Sequence, residues 1–240
     1  MPGLAYPTRL GALRLCLSFC LLLATWPVIA QQAAPNKHGL KVINDPAVYQ
    51  KQVTRDKSLN LVDLATFIPG VKLDIRYATA NNFLGEPVYP SAKAYLRLPV
   101  AKALKKVQTE LNQQGLGLKI FDAYRPYRAT VYFFEKLRDT VYLAVPWQGS
   151  RHNRGCTVDL TLIDLKTGQE LQMPTSFDDF TKKAHVNYQD LPPEAIKNRE
   201  LLKRVMTKQG FQVYSEEWWH FDYRNFKKFD LLDISFEDLP

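Results

Sequence analysis

The apolar residues of this chain recur at two different periods, and the order in which those periods follow one another restricts the fold more than any other feature. After Pro99, a tolerated first-turn proline, Val100, Leu104, Val107 and Leu111 repeat at helical spacing until Gly115 closes the segment. Leu116 to Ala123 then reads as a strand, Arg128 to Leu137 as a second helix, and Cys156 to Ile163 as an alternating strand. Lys166-Thr167-Gly168 is turn chemistry, and Glu194 to Gln209 is a charged amphipathic helix stopped by Gly210. Phe211 to Tyr214 and Trp218 to Tyr223 are expected to close the fold as strands, and Val71 to Tyr77 to open it as another, before a loop at Asn81-Asn82 and Gly85. Strands and helices mix without regular βαβ alternation, and no internal repeat appears. The class is therefore α+β, a single domain with helices packed on a mainly antiparallel sheet.

The first thirty residues differ in kind. Arg9 and Arg14 precede the apolar stretch Leu15 to Leu23, and small residues end it at Val28-Ile29-Ala30. This is the pattern of a signal peptide over residues 1–30, cleaved after Ala30, with an uncleaved anchor as the alternative. The reading implies an exported protein, periplasmic or secreted, without stable membrane insertion after cleavage. Gln31 to Asn60 is polar and without periodicity, so it reads as a leader that crosses the surface or stays mobile before a catalytic domain over residues 61–240.

Cys16 and Cys20 lie in the signal segment, so only Cys156 would remain after processing and an intrachain disulfide is excluded. The formal charge of +8 includes Arg9 and Arg14. The other basic residues are scattered over helical stretches such as 102–106 and 197–208, which suits a solvated face and does not imply a nucleic-acid partner. Nothing here implies a particular oligomeric state.

The chemistry is concentrated in two segments. His152 and Asp159 are seven positions apart, with Gly155 able to turn the chain between them, and Glu217-Trp218-Trp219-His220 brings a second histidine and a second carboxylate. Taken singly, each is an ordinary polar residue. Taken together, His152, Asp159 and His220 supply the three nitrogen and oxygen ligands, with one position left for water, that a catalytic zinc requires, where a closed structural site would recruit thiolates. Glu217 is the candidate general base. Regular strand geometry sends residues three apart to opposite faces, so Glu217 and His220 converge only if a turn or bulge lies near Glu217.

The pattern Ser150-x-His152-x-x-Gly155-x-x-x-Asp159, followed distantly by Glu217-Trp218-Trp219-His220, resembles the zinc D-Ala-D-Ala metallopeptidases, and the double tryptophan resembles their VanX-type D-alanyl-D-alanine dipeptidase branch. The blocks 82–88, 122–126, 159–162 and 210–220 match that family in the same order, so the likeness runs from about Val71 to Tyr223. It implies the zinc D-Ala-D-Ala peptidase fold shared with hedgehog-type domains. One Zn2+ would be held by His152, Asp159 and His220, with Glu217 as general base and then general acid.

By the same resemblance Arg125 faces the scissile carbonyl, with a salt bridge to Asp122 as the plainer role. Asp178 would take the substrate ammonium, with Asp179 as the alternative. Ser150 would lie at the carboxylate end, Tyr77 would be a further substrate contact, and Asp122 would orient the site. Two positions depart from the family pattern: Arg151 and Cys156 stand where small residues are usual. Cys156 is expected to be a buried thiol facing away from Asp159, His38 and His185 to be surface residues, and at most one of Trp218 and Trp219 to touch substrate. The implied activity is hydrolysis of D-Ala-D-Ala or a related small dipeptide by a zinc-activated water. A carboxypeptidase trimming peptidoglycan stem peptides and a non-catalytic zinc wall-binding module are the alternatives.

Overall fold

The computed structural model describes residues 1–4, 35–140 and 142–239. The signal-peptide reading therefore lies outside the described residues, among which no helix is long and apolar enough to cross a membrane.

The chain enters through β1 (Val42–Ile43) and α1 (Pro46–Arg55), which starts where Asp45 accepts the amide of Ala47 at 2.7 Å and Pro46 occupies the first turn. This corrects the leader expectation. Val42 and Ile43 pair in parallel with a strand near the C-terminus, and Tyr49 is fully buried, its hydroxyl accepting the Leu61 amide at 2.7 Å. The signal was too thin to read: α1 buries only Tyr49 and Val53, so its apolar stripe is two residues wide and its remaining face is polar.

Then come β2 (Leu61–Asp63), α2 (Leu64–Phe67) and β3 (Lys72–Leu73). The strand expected over Val71 to Tyr77 shrinks to these two residues of β3, after which Arg76–Ala78 forms a single 3-10 turn. That turn carries Tyr77 inward, where its carbonyl accepts the amides of Val88 and Tyr89. β4 (Tyr95–Arg97) pairs with β2 and leads into α3 (Leu98–Asn112). β5 (Leu116–Asp122), α4 (Tyr127–Leu137), β6 (Thr157–Asp164), α5 (Pro193–Lys208), β7 (Phe211–Tyr214), β8 (Glu217–Tyr223) and β9 (Leu231–Leu232) follow.

The main sheet has the order β3-β5-β6-β8-β7, parallel only between β3 and β5. Alternation along β6 divides its side chains: Val158, Leu160 and Leu162 take one face, Thr157, Asp159 and Thr161 the other. Register aligns Leu160 with Ile120, Leu162 with Leu118 and Val158 with Phe221, so the first face is apolar across three strands. Helices α3 and α5 pack against the sheet and against each other. Neither contributes a wall to the cavity into which Asp159 and His220 point, so they cover the apolar face and leave the polar one to the site. The arrangement is the expected α+β fold, with helices on a mainly antiparallel sheet.

Candidate metal centre

Asp159 of β6 and His220 of β8 are direct antiparallel partners, and the carboxylate Oδ1 lies 3.1 Å from His220 Nδ1. His152 reaches the same oxygen from a 3-10 turn over His152–Arg154, its Nε2 at 3.4 Å. That turn closes at Gly155, where φ is 66° and a Cβ would meet Leu61 Cδ2 at 2.5 Å. Only glycine fits the left-handed backbone and the close approach together. The candidate ligand atoms of His152, Asp159 and His220 all lie within 4.8 Å of one another.

The residues fit a cation. Oδ1 of Asp159 is buried and makes no hydrogen bond of acceptable geometry, which for a carboxylate oxygen away from water is an unfavourable state. The other ring nitrogens are already committed. His152 Nδ1 donates to the Ala123 carbonyl at 2.7 Å, leaving the Nε2 lone pair inward, and His220 Nε2 faces Asp222 Oδ1 at 3.2 Å, leaving Nδ1 inward. Either a proton or a metal ion completes such a set. Burial works against charge on His220, but Asp222 and Asp159 outweigh it and push the imidazolium well above the usual histidine range. Burial likewise opposes ionisation of Asp159, and the two imidazoles overcome it to hold the carboxyl below the usual range.

Glu217 closes the set, Oε2 lying 3.4 Å from His220 Nδ1. The irregularity expected here is present: Val213 pairs with Phe221 but Tyr214 pairs with Glu217, so β8 bulges over the residues between and turns both side chains to one side. Burial raises the Glu217 carboxyl above the ordinary glutamate range, partly offset by His220. These groups border a cavity of about 500 Å³.

Around the same cavity lie Arg125, Asp178, Ser150 and Tyr77. Arg125 donates through Nε and Nη2 to Asp122 Oδ2 at 3.0 and 2.8 Å, and its cation lies 5.2 Å from the Tyr77 ring centre and 4.9 Å from that of Phe133. Asp178 holds a left-handed backbone, φ 58°, rare for a non-glycine residue, and accepts the Tyr77 hydroxyl at 3.0 Å. Burial, reinforced by the negative charges of Asp159 and Glu217, lifts its carboxyl well above the usual range. Strain and a desolvated acid at one position mark a site where binding supplies what folding does not.

A family model described as D-ala-D-ala dipeptidase matches residues 57–231. The D-alanyl-D-alanine dipeptidase of Escherichia coli (strain K12) is 37% identical over 176 residues, which cover 73% of this chain and 91% of that protein. The chain belongs to peptidase family M15. The D-alanyl-D-alanine dipeptidases of Enterococcus faecalis (strain ATCC 700802 / V583) and Enterococcus faecium are 34% and 31% identical, covering 66% and 68% of this chain and 88% and 90% of theirs.

Within this M15 peptidase the structure gathers His152, Asp159, His220, Glu217, Arg125, Asp178, Ser150 and Tyr77 at one cavity. Asp179, the alternative to Asp178, instead accepts the Thr181 amide at 2.9 Å in a local turn. Asp122 is no substrate contact but takes the orienting role expected of it: it is 1% exposed and lines no part of the cavity. Its Oδ1 accepts the Tyr89 hydroxyl and the Ala123 amide and its Oδ2 holds Arg125, so its reach is spent on positioning that cation. Trp219 borders the cavity, while Trp218 packs behind it and donates to Thr175 Oγ1 at 2.9 Å. Cys156 is buried and unpaired, and burial pushes its thiol up to about 12. His38 and His185 are partly buried and lie away from the cavity.

Sequence reasoning missed Asp222. It stands two residues after His220 on the same strand, hence on the same face, and that spacing was the available signal. It also missed the Ala123 carbonyl, for which no side-chain pattern exists.

Proposed function

We propose that this M15 peptidase is a zinc-dependent dipeptidase that hydrolyses D-alanyl-D-alanine or a closely related small dipeptide, with one Zn2+ held by His152, Asp159 and His220. The observation that carries the reading is the convergence on one cavity of this ligand set, a carboxylate beside it, a buried guanidinium and a second, desolvated carboxylate. The naming of the relatives as D-alanyl-D-alanine dipeptidases supports the same substrate.

The ion, when bound, supplies Lewis-acid activation of water and of the scissile carbonyl. Glu217 accepts the proton as the water oxygen bonds to the carbonyl carbon, and returns it to the departing amine as the carbon–nitrogen bond breaks. Its raised affinity for protons suits both halves of that task. Arg125 donates to the carbonyl oxygen as negative charge grows there; Asp122 holds the guanidinium in place, so no reorganisation is needed during the reaction. Asp178 takes the substrate ammonium, whose charge relieves the desolvation of its carboxyl, and the Tyr77 hydroxyl fixes that carboxylate. Ser150 Oγ already accepts the His152 amide at 3.2 Å and keeps its own proton to donate toward the substrate carboxylate.

Export belongs to the same proposal and rests on residues 1–30 of the sequence. An enzyme outside the cytoplasm would meet wall-derived dipeptide and serve its salvage. Growth on D-Ala-D-Ala as a nutrient should then depend on the gene, and equal growth without it would refute the salvage role.

The test of the activity is amine release from D-Ala-D-Ala, L-Ala-L-Ala and a pentapeptide ending in D-Ala-D-Ala, with chelated enzyme and Glu217→Ala alongside. Zinc-dependent cleavage of the D,D-dipeptide alone is expected. Cleavage of the pentapeptide would make the enzyme a carboxypeptidase, and silence on all three would leave a binding role.

A further inference from the structure

We propose that Arg151 is a positioning residue that holds the metal-facing edge of His220 in place, acting through Asp222 and Tyr214. The proposal rests on reading His152, Asp159 and His220 as the zinc set. Asp222 uses its two oxygens for different partners. Oδ1 accepts the Thr157 hydroxyl at 2.7 Å and faces His220 Nε2 at 3.2 Å, while Oδ2 accepts Nη1 of Arg151. The Arg151 cation also lies 5.6 Å from the ring centre of Tyr214 and 5.3 Å from that of Phe226. The Tyr214 ring in turn lies 5.6 Å from the His220 ring, inclined at 59°. One guanidinium thus holds two neighbours of the imidazole, the carboxylate at its outer edge and the phenol ring at its side.

Without the arginine the carboxylate would be held through Oδ1 alone, by the Thr157 hydroxyl and the His220 edge. With Oδ2 fixed by Arg151, Oδ1 stays on Nε2 of His220, the ring keeps its proton on that nitrogen, and the Nδ1 lone pair stays aimed at the ligand set. Burial gives the pair its weight: the Asp222 side chain is 7% exposed and that of Arg151 43% exposed, so a solvated cation helps neutralise a carboxylate that the interior would otherwise leave to Thr157 and His220. A planar guanidinium can hydrogen-bond in its plane and lie near aromatic rings at once, which a lysine ammonium does less well.

Because Arg151 borders the cavity, the rival role is direct binding of the substrate carboxylate. The two roles separate on metal affinity. The full chain, stripped of metal, would be titrated with Zn2+ against a chromophoric chelator, as wild type, R151Q, R151K, D222N and R151Q/D222N, and the Co2+ forms examined by absorption. R151Q is expected to weaken zinc binding about 3- to 10-fold and D222N about 10- to 100-fold, with R151K recovering part of the loss. In the D222N background R151Q should add almost nothing, because its route to His220 is already cut. The ligand-field bands of Co2+ should shift in R151Q, and kcat for D-Ala-D-Ala should fall while KM stays within about 2-fold.

Should R151Q not fold, R151M keeps the apolar stem beside Tyr214 and Phe226 and carries the same expectation. Unchanged zinc affinity and cobalt spectrum in R151Q would overturn the proposal, as would full additivity with D222N. A rise in KM alone would assign Arg151 to the substrate. Wild-type protein that binds no zinc would overturn the metal reading itself and this inference with it, whereas normal wild-type binding with an indifferent R151Q removes this inference only.

Discussion

Asp159 and His220 face each other across adjacent antiparallel strands, with 3.1 Å between carboxylate Oδ1 and ring Nδ1, so two of the three candidate ligands form a cross-strand pair. Such a pair is as rigid as the sheet that carries it. Only His152 and Glu217 need special backbone to join it, a glycine-closed turn in one case and a bulge in the other.

Metal binding should release protons and strengthen with pH. His220 has a folded pKa raised well above its ordinary 6.5. Its protonated form therefore stabilises the metal-free fold fully below about pH 6.5, and that contribution is lost as pH rises through the higher folded value. A metal must displace this proton, so zinc affinity should climb with pH across the same window, with about one proton released per ion. Calorimetry in buffers of different ionisation enthalpy measures the release directly; affinity independent of pH between 6 and 8 would contradict this assignment of His220.

Removing the metal should also lower stability. Chelation leaves the buried carboxylate of Asp159 to its two imidazoles alone, and a saturating ligand stabilises the folded state by about 4 kcal/mol at a thousandfold excess over Kd. Thermal unfolding with and without chelator should differ by several degrees, and the difference should disappear in Asp159→Asn, a variant expected to bind zinc poorly.

Glu217→Ala should remove activity without removing metal. The expected loss in kcat is about 10²- to 10⁴-fold, the range for a lost general acid–base group. Zinc content should stay near that of the wild type, because His152, Asp159 and His220 remain. Loss of zinc together with activity would make Glu217 a ligand.

Arg125→Lys should keep the fold and lose about 10²- to 10³-fold in kcat, because a lysine cannot reproduce the hydrogen bonds to Asp122 while aiming at the substrate oxygen. Arg125→Ala is the less informative change, since it strands Asp122 at 1% exposure and should destabilise by about 3–5 kcal/mol. Kinetics and thermal unfolding on both variants separate the two effects.

Gly155→Ala should destabilise by about 1–3 kcal/mol, through strain at positive φ and a Cβ pressed against Leu61. Because this glycine ends the turn that carries His152, zinc affinity should fall along with the melting temperature. A variant as stable as wild type would remove the steric argument.

Much of the architecture was legible because it depends on local pattern. The helices over 98–112 and 193–208 and the strands over 116–122 and 157–164 each have an apolar period long enough to read. The bulge at Glu217 was legible for another reason: Glu217 and His220 could share a site in no other way. The helix Pro46–Arg55 was not legible, because its buried face is only Tyr49 and Val53, and Leu61, whose amide its Tyr49 hydroxyl accepts, lies outside it in the chain.

The sequence by itself determined the fold class and singled out the candidate ligands and the candidate base, since these follow from side-chain chemistry and local periodicity. Only the tertiary structure decided which groups stand behind the site. It set Asp122 behind Arg125 and outside the cavity, chose Asp178 over Asp179 for the cavity, and joined Asp222 and Arg151 to His220. Those roles depend on which side chains meet across strands and loops far apart in the chain, and on how water is excluded between them. No periodicity along the sequence encodes that.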